Sequence, residues 1–237
     1  MKEQKKYAIS VIAGLLTIIV SSIILFSSGS YAVYTAGTAK RKLPVYGVGR
    51  DDGALSISFD CAWGTDYTDK ILDTLDFYNV KATFFVVQFW AEKYPDYLKK
   101  IVGRGHEVGT HSKTHPKMSK LSAEEIEEEL KSSVAAIENV TGQKVKLFRP
   151  PFGDYDDKVI TAAENLGLYT IQWNVDSLDW KNLSAEQIAA RVIKKAGSGS
   201  IILMHNNGLH TAESLPLIFT ATQQKGLVYR PISELIY

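Results

Sequence analysis

The stretch LSISFDCAWG, Leu55–Gly64, holds the decision about the fold. Leu55–Asp60 is a short, mainly apolar run of the kind that forms a strand buried on both faces of a sheet. It ends on a carboxylate, and a core tolerates charge there only if it is paired, hydrogen-bonded or metal-bound. The same construction recurs as polar islands set in apolar sequence. They are SFDCAWG at Ser58–Gly64, HSKTH at His111–His115, RPPFG at Arg149–Gly153, DSLDW at Asp176–Trp180 and LMH at Leu203–His205.

Further strand candidates are Ala82–Val87, Glu107–Gly109, Leu147–Arg149, Tyr169–Val175, Ser200–His205 and Val228–Ile232. Helical punctuation lies between them. Ser122 with Glu125 forms a capping-box pattern ahead of the apolar stripe Ile126, Leu130, Val134, Ile137 and Val140. Gly142 stands where a left-handed stop belongs. Ser184 with Gln187 repeats the cap before Ile188, Val192 and Ile193, and Asp154 suits the N-cap of the helix that Gly167 ends. Alternating β and α units predict a parallel sheet, and about seven of them predict a distorted (β/α) barrel, with a doubly wound open sheet as the alternative. Either architecture puts its site at the carboxyl ends of the strands. Asp60, Arg149, Asp176 and His205 fall at or just past predicted strand ends, and His111 follows another.

With 27 Lys and Arg against 26 Asp and Glu, the chain lacks the electrostatic footprint of a nucleic-acid binder. The single cysteine excludes an intramolecular disulfide. Residues 7–26 carry no charge and have the length, about 20 residues, that spans a hydrocarbon core. Lys2, Lys5 and Lys6 precede them on what reads as a cytoplasmic tail, residues 1–6. The expectation is a single-pass signal anchor in the cell membrane, followed by a linker at 27–49 and an extracytoplasmic domain at 50–237. Small residues at Gly37 and Ala39 leave cleavage and secretion open.

The islands divide the chemistry among them. His111 and His115, four apart, allow two imidazoles to converge on one ion, and Pro116 favours a loop or helix start over mid-helix geometry. Two surface or capping histidines would show the same spacing. Asp60 suits a general base, or a structural ion pair with Arg149; a guanidinium nearby keeps a carboxylate ionised, so both can hold. His205 suits a general acid oriented by Asp179. The rigid RPPFG loop brings backbone close to a ligand and suits an oxyanion donor, though a structural turn would look alike. Trp180 suits a pocket wall, Trp173 suits the core, and Trp63 fits either.

In their order these motifs resemble the polysaccharide deacetylases with a NodB-type catalytic domain, carbohydrate esterase family 4 (CE4). The similarity runs over roughly residues 50–237 and is nearest to sporulation-associated, PdaB-like members. The resemblance implies metal-dependent removal of N-acetyl groups from amino sugars of an N-acetylated cell-wall polysaccharide, peptidoglycan or spore cortex. It implies Asp60 as base, Arg149 held against it, His111 and His115 as metal ligands, and His205 as acid tuned by Asp179. It further implies the Phe152 backbone N–H as oxyanion donor, with Pro151 and Trp180 beside the substrate. The divalent metal it implies is zinc, with cobalt or nickel possible. The family pattern has a second aspartate after the base, completing an Asp–His–His set; here Cys61 stands there. Cys61 either ligates the metal as a thiolate, leaves a weaker two-histidine site, or marks a loss of turnover. The last case gives the alternative reading, a glycan-binding wall or spore morphogenesis protein on the same fold. A cysteine hydrolase using Cys61 is a further rival.

Overall fold

The computed structural model describes residues 41–236. The predicted membrane anchor and most of the predicted linker lie outside them. Among the described residues no helix is long and apolar enough to cross a membrane. From Lys42 onward the chain forms one compact unit.

The parallel strands are β1 (Ala54–Cys61), β2 (Thr83–Val86), β3 (Glu107–Thr110), β4 (Leu147–Phe148), β5 (Tyr169–Thr170), β6 (Val175–Asp176), β7 (Ile201–His205) and β8 (Val228–Tyr229). Seven of them run in the order β5-β4-β3-β2-β1-β7-β6, and β8 pairs with the start of β1. The sheet curls into a half-barrel with β5 and β6 as its two ends. Helices α1 (Thr68–Phe77), α2 (Gln88–Lys93), α3 (Pro95–Gly103), α4 (Ala123–Thr141), α5 (Asp157–Asn165), α6 (Ala185–Lys195) and α7 (Thr211–Gln224) fill the connections, and α8 (Ile232–Ile236) follows β8.

Several predicted strands are trimmed at their ends, and two depart further. The run Tyr169–Val175 splits because it spans the opening of the barrel: the Ile171 N–H donates to Phe148 of β4, whereas the Asn174 N–H donates to Ile201 of β7. The run from Val228 stops at Pro231, which has no N–H for the ladder, and Ile232 begins α8. Residues 45–48 occupy the opening from outside the numbered strands. Val45 bridges Ile171 in parallel and Gly47 bridges Ser200 antiparallel, so edge groups that would face water find partners. Gly199, at φ +76°, lies so close to the Val48 carbonyl that a Cβ would meet its oxygen at 1.7 Å.

Alternation along the strands creates two apolar layers. Leu55, Ile57, Phe59 and Cys61 of β1 point to the helices and join the main core. Ala54, Ser56, Ser58 and Asp60 point the other way. Ala54 packs with Phe85, Leu147, Ile171 and Ile201, and with Ile232 and Leu235 of α8, as a plug inside the curl. Ser56 Oγ donates to the Arg230 carbonyl at 2.6 Å and Ser58 Oγ to that of Ile202 at 2.7 Å, which satisfies both buried hydroxyls.

The predicted caps of α4 and α6 both form full capping boxes, and Gly142 ends α4 at φ 68°. The N-cap of α5 is Asp156, whose carboxylate accepts from the Val159 N–H; Asp154 instead accepts from the N–H and hydroxyl of Ser119. Two aspartates so close in sequence are equivalent by pattern, and only the tertiary contact to Ser119 separates them.

Candidate active site

The functional side chains occupy one level of the barrel interior, one rung above the plug. Ser58 is followed two residues on by Asp60, Gly109 by His111, Leu147 by Arg149, Ile171 by Trp173 and Leu203 by His205. A spacing of two keeps each on the inward face, and each strand ends there. Gly109 makes room at this level: a Cβ would meet the Phe85 ring at 2.7 Å. Asp60 and His205 are direct neighbours across β1 and β7. Above them opens a cavity of about 860 Å³.

Arg149 is fully buried. Its guanidinium donates to Asp60 Oδ1 at 2.9 Å and to the Gln172 carbonyl at 3.1 Å, and lies 4.1 Å from the centroid of the Phe85 ring. Its Nε has no partner among the described residues. Burial pushes the Asp60 carboxyl up, but the Arg149 guanidinium beside it, with the neighbouring His111 and His205 rings and the Arg149 hydrogen bond, holds it below the usual carboxylate range. Its second oxygen lies 3.5 Å from His111 Nε2. The Arg149 carbonyl lies 2.7 Å from His111 Nδ1; an acceptor there places the proton on Nδ1 and leaves the Nε2 lone pair toward the cavity. Burial holds His111 below the ordinary imidazole range, and burial beside the His111 ring takes His115 down to about 4. Both rings are neutral at pH 7.

On the other side, Asp179 is fully buried and uses both oxygens. Oδ1 lies 2.7 Å from His205 Nδ1, and Oδ2 accepts from the His205 N–H at 2.7 Å and the Thr211 hydroxyl at 2.6 Å. Burial alone would lower His205; the hydrogen bond and charge of Asp179, with Asp60, raise it. A positively charged ring with Nδ1 engaged presents Nε2–H to the cavity.

The RPPFG loop closes one wall. Phe152 sits at φ 59°, ψ 8°, a left-handed conformation uncommon outside glycine. The turn's backbone bonds run from Gly153 N–H to Pro150 and from Asp154 N–H to Pro151, so neither uses the Phe152 N–H. Pro151 is buried beneath the turn, and Phe152 is the residue of this loop that lines the cavity. Trp180 lines it as expected, and so does Trp63. Trp173 does too, half-buried and 5.7 Å from the Arg149 guanidinium; it packs against the inner apolar cluster, as expected, and also reaches the cavity.

Cys61 does not join this site. It faces the helices, and its Sγ lies 3.8 Å from its own strand's Phe59 carbonyl. Burial and the Asp60 charge push the thiol well above its usual range. Among the described residues no three His, Cys, Asp or Glu side chains are grouped to hold a metal ion. The donors present are two neutral imidazoles beside a carboxylate already committed to Arg149, and that set does not fit a three-ligand site.

Some partners left little trace in the sequence. Thr211 and Asn206 act from outside the motifs: Asn206 donates to the Gly64 carbonyl at 3.0 Å and to the Thr68 hydroxyl at 3.2 Å, tying the β7 loop to the β1 loop. The polar run Asn206, Asn207 and Gly208 after an apolar strand was the available signal for the latter.

The polysaccharide deacetylase family model matches residues 47–171. The chain belongs to the polysaccharide deacetylase family. Within it, the chain is 37% identical to the uncharacterized protein YlxY of Bacillus subtilis (strain 168) over 81% of its own length, and spans 60% of YlxY. It is 32% identical to the peptidoglycan-N-acetylmuramic acid deacetylase PdaA of the same organism, covering 76% of this chain and 70% of PdaA. The structure of BA3943 from Bacillus anthracis, described as a CE4 family pseudoenzyme, matches with a TM-score of 0.80 and 36% identity, covering 82% of this chain and 69% of that one. A mutant of BA3943 with restored enzymatic activity matches equally, at 37% identity and TM-score 0.80, over 82% of this chain and 71% of that one. This deacetylase family thus includes, among the neighbours of this chain, both named enzymes and a pseudoenzyme.

Proposed function

We propose that the chain hydrolyses N-acetyl groups of amino sugars in a cell-wall glycan, peptidoglycan or spore cortex, releasing acetate. The observation that carries this reading is the placement of Asp60–Arg149 and His205–Asp179 side by side beneath one cavity, a carboxyl held below its usual range beside an imidazole held above its own. Asp60 takes a proton from water as its oxygen attacks the acetamide carbonyl carbon. The Phe152 N–H is the donor available to the oxyanion. When the C–N bond breaks, the His205 Nε2 proton passes to the departing amine, leaving acetate and a free amino sugar. No step is assigned to a metal, because the donor set lacks its third member. The relatives named as peptidoglycan deacetylases support the substrate class.

A second reading is favoured by Cys61: a glycan-binding wall or spore protein with little or no turnover. The pseudoenzyme BA3943 shows that this fold can be kept without activity. Acetate release from N-acetylglucosamine oligomers separates the two, measured on metal-free protein and after zinc, cobalt or nickel is added. Release above blank supports the hydrolase. None under any metal, with oligomer binding retained, moves the conclusion to the binding protein. The charge-free run at residues 7–26 supports a membrane anchor with the domain outside the cytoplasm, which protease accessibility of whole cells against lysed cells tests directly.

A further inference from the structure

Gln172 is buried at the opening of the barrel, between β5 and β6. Its N–H donates at 2.8 Å to the carbonyl of Val45, in the segment that bridges the opening. Its carbonyl accepts from the Arg149 guanidinium at 3.1 Å, and its side-chain amide donates to the Gly153 carbonyl at 3.1 Å. Arg149 and Gly153 are the first and last residues of RPPFG, so a residue outside that motif grips both of its ends. At one end the guanidinium continues to Asp60; at the other lies the turn that carries the Phe152 N–H.

That turn needs holding. Phe152 at φ 59° and Gly153 at φ 66° are consecutive left-handed residues. For a phenylalanine this conformation is strained, and it persists only where the surroundings over-determine it. The bonds from the Gly153 N–H to Pro150 and from the Asp154 N–H to Pro151 close the loop on itself, which leaves its orientation toward Asp60 to other contacts. The Gln172 amide supplies one, from the same residue whose carbonyl holds Arg149. The fit is close: a Cβ on Gly153 would come within 3.2 Å of Gln172 Oε1 and 3.1 Å of the Trp173 ring. Gln172 itself does not line the cavity, so its side chain reaches a bound acetamide only through the turn.

We propose that Gln172 is a positioning residue, which fixes the Phe152 N–H relative to the Asp60–Arg149 pair by clamping both ends of RPPFG to one stretch of backbone. This rests on the hydrolase reading above and adds to it a residue that acts on the oxyanion step and not on substrate binding. Small misplacements of a donor that works only in the transition state lower the rate and leave binding alone.

The test is acetate release from the N-acetylglucosamine tetramer by the full chain in detergent micelles, with Gln172→Met and Gln172→Leu compared under the metal condition in which the unaltered chain turns over. Each variant fills the space without offering a donor, and neither touches the backbone carbonyl that holds Arg149. The expected result is a fall in kcat of about tenfold, smaller than the roughly 10²–10³ that loss of an oxyanion donor costs, with KM unchanged. Gly153→Ala should lower kcat as well, and in the Gln172→Met background it should add little, because both act through one turn. A rise in KM equal to the fall in kcat, losses that multiply in the double variant, or failure of both Gln172 variants to fold would each make Gln172 a scaffold residue and overturn the proposal. Normal turnover in both variants would overturn it too and leave the hydrolase reading standing. If the unaltered chain releases no acetate, the reading and the proposal fall together.

Discussion

Asp60 meets the Arg149 guanidinium at 2.9 Å and Asp179 meets the His205 ring at 2.7 Å, yet the two pairs are tuned for opposite ends. In the first the arginine is fully buried, and the carboxylate, at 8% side-chain exposure, keeps one oxygen clear of it. In the second the carboxylate is fully buried and saturated, while the imidazole is 32% exposed. Each pair has a holder inside and a working partner toward the cavity. The holder biases the charge state of the worker: Arg149 favours the ionised form of Asp60, and Asp179 favours the protonated form of His205. A base and an acid therefore coexist on neighbouring strands, because each answers to a different counter-charge.

Removing a holder should cost more than removing a worker's contact to water, and the first pair gives the largest effect. Arg149→Met leaves the Asp60 carboxylate buried without its counter-ion and should cost about 3–5 kcal/mol of stability in urea denaturation. A loss below about 1 kcal/mol would mean that the pair does not hold the barrel interior together. Asp60→Asn, assayed under conditions where circular dichroism shows it folded, should lower the deacetylation rate by roughly 10²–10⁴. Near-normal turnover in that variant would remove Asp60 from the role of base.

The second pair responds to pH with the opposite sign from a carboxylate held low. Because His205 is raised in the folded chain, its pairing with Asp179 stabilises fully below the unfolded imidazole value of about 6.5 and fades as pH rises through the raised value. Asp179→Asn should cost roughly 1–3 kcal/mol below pH 6.5, since a buried acceptor of three hydrogen bonds is replaced by an amide. That cost should shrink at alkaline pH. The alkaline limb of the deacetylation profile should also move to lower pH in this variant. A pH-independent stability difference would show that Asp179 acts through its hydrogen bonds alone.

What the sequence makes legible is set by periodicity. An apolar run ending in Asp60, Arg149 or His205 locates a strand end, and all three do meet at one level of the barrel. Capping boxes at Ser122 and Ser184 are local patterns with local causes, and they form as read. Contacts between distant segments are not legible in this way. Nothing in TAESL around Thr211 announces its hydroxyl on Asp179, and nothing in residues 45–48 announces that they bridge the barrel opening. The apolar run around Trp173 marks it as core, and it does pack against the plug; that alternation through Ile171 also brings it to the cavity is legible only once the strand is placed.

An effect confined to stability belongs to the residue next to the base. Cys61 follows Asp60 in the chain, but alternation turns it to the helix-facing layer among Ile57 and Phe59, away from both pairs. Cys61→Ser replaces a sulfur that packs as a small hydrophobe with a hydroxyl in an apolar setting, and should cost about 1–3 kcal/mol. The same variant should leave the pH profile set by His205 and Asp179 in place, because no atom of either pair rests on the sulfur. A thiol held protonated by burial and by the neighbouring Asp60 charge is a poor nucleophile. If Cys61→Ser abolished acetate release while chelators did not, the cysteine hydrolase would replace the base-and-acid pair as the account of this cavity.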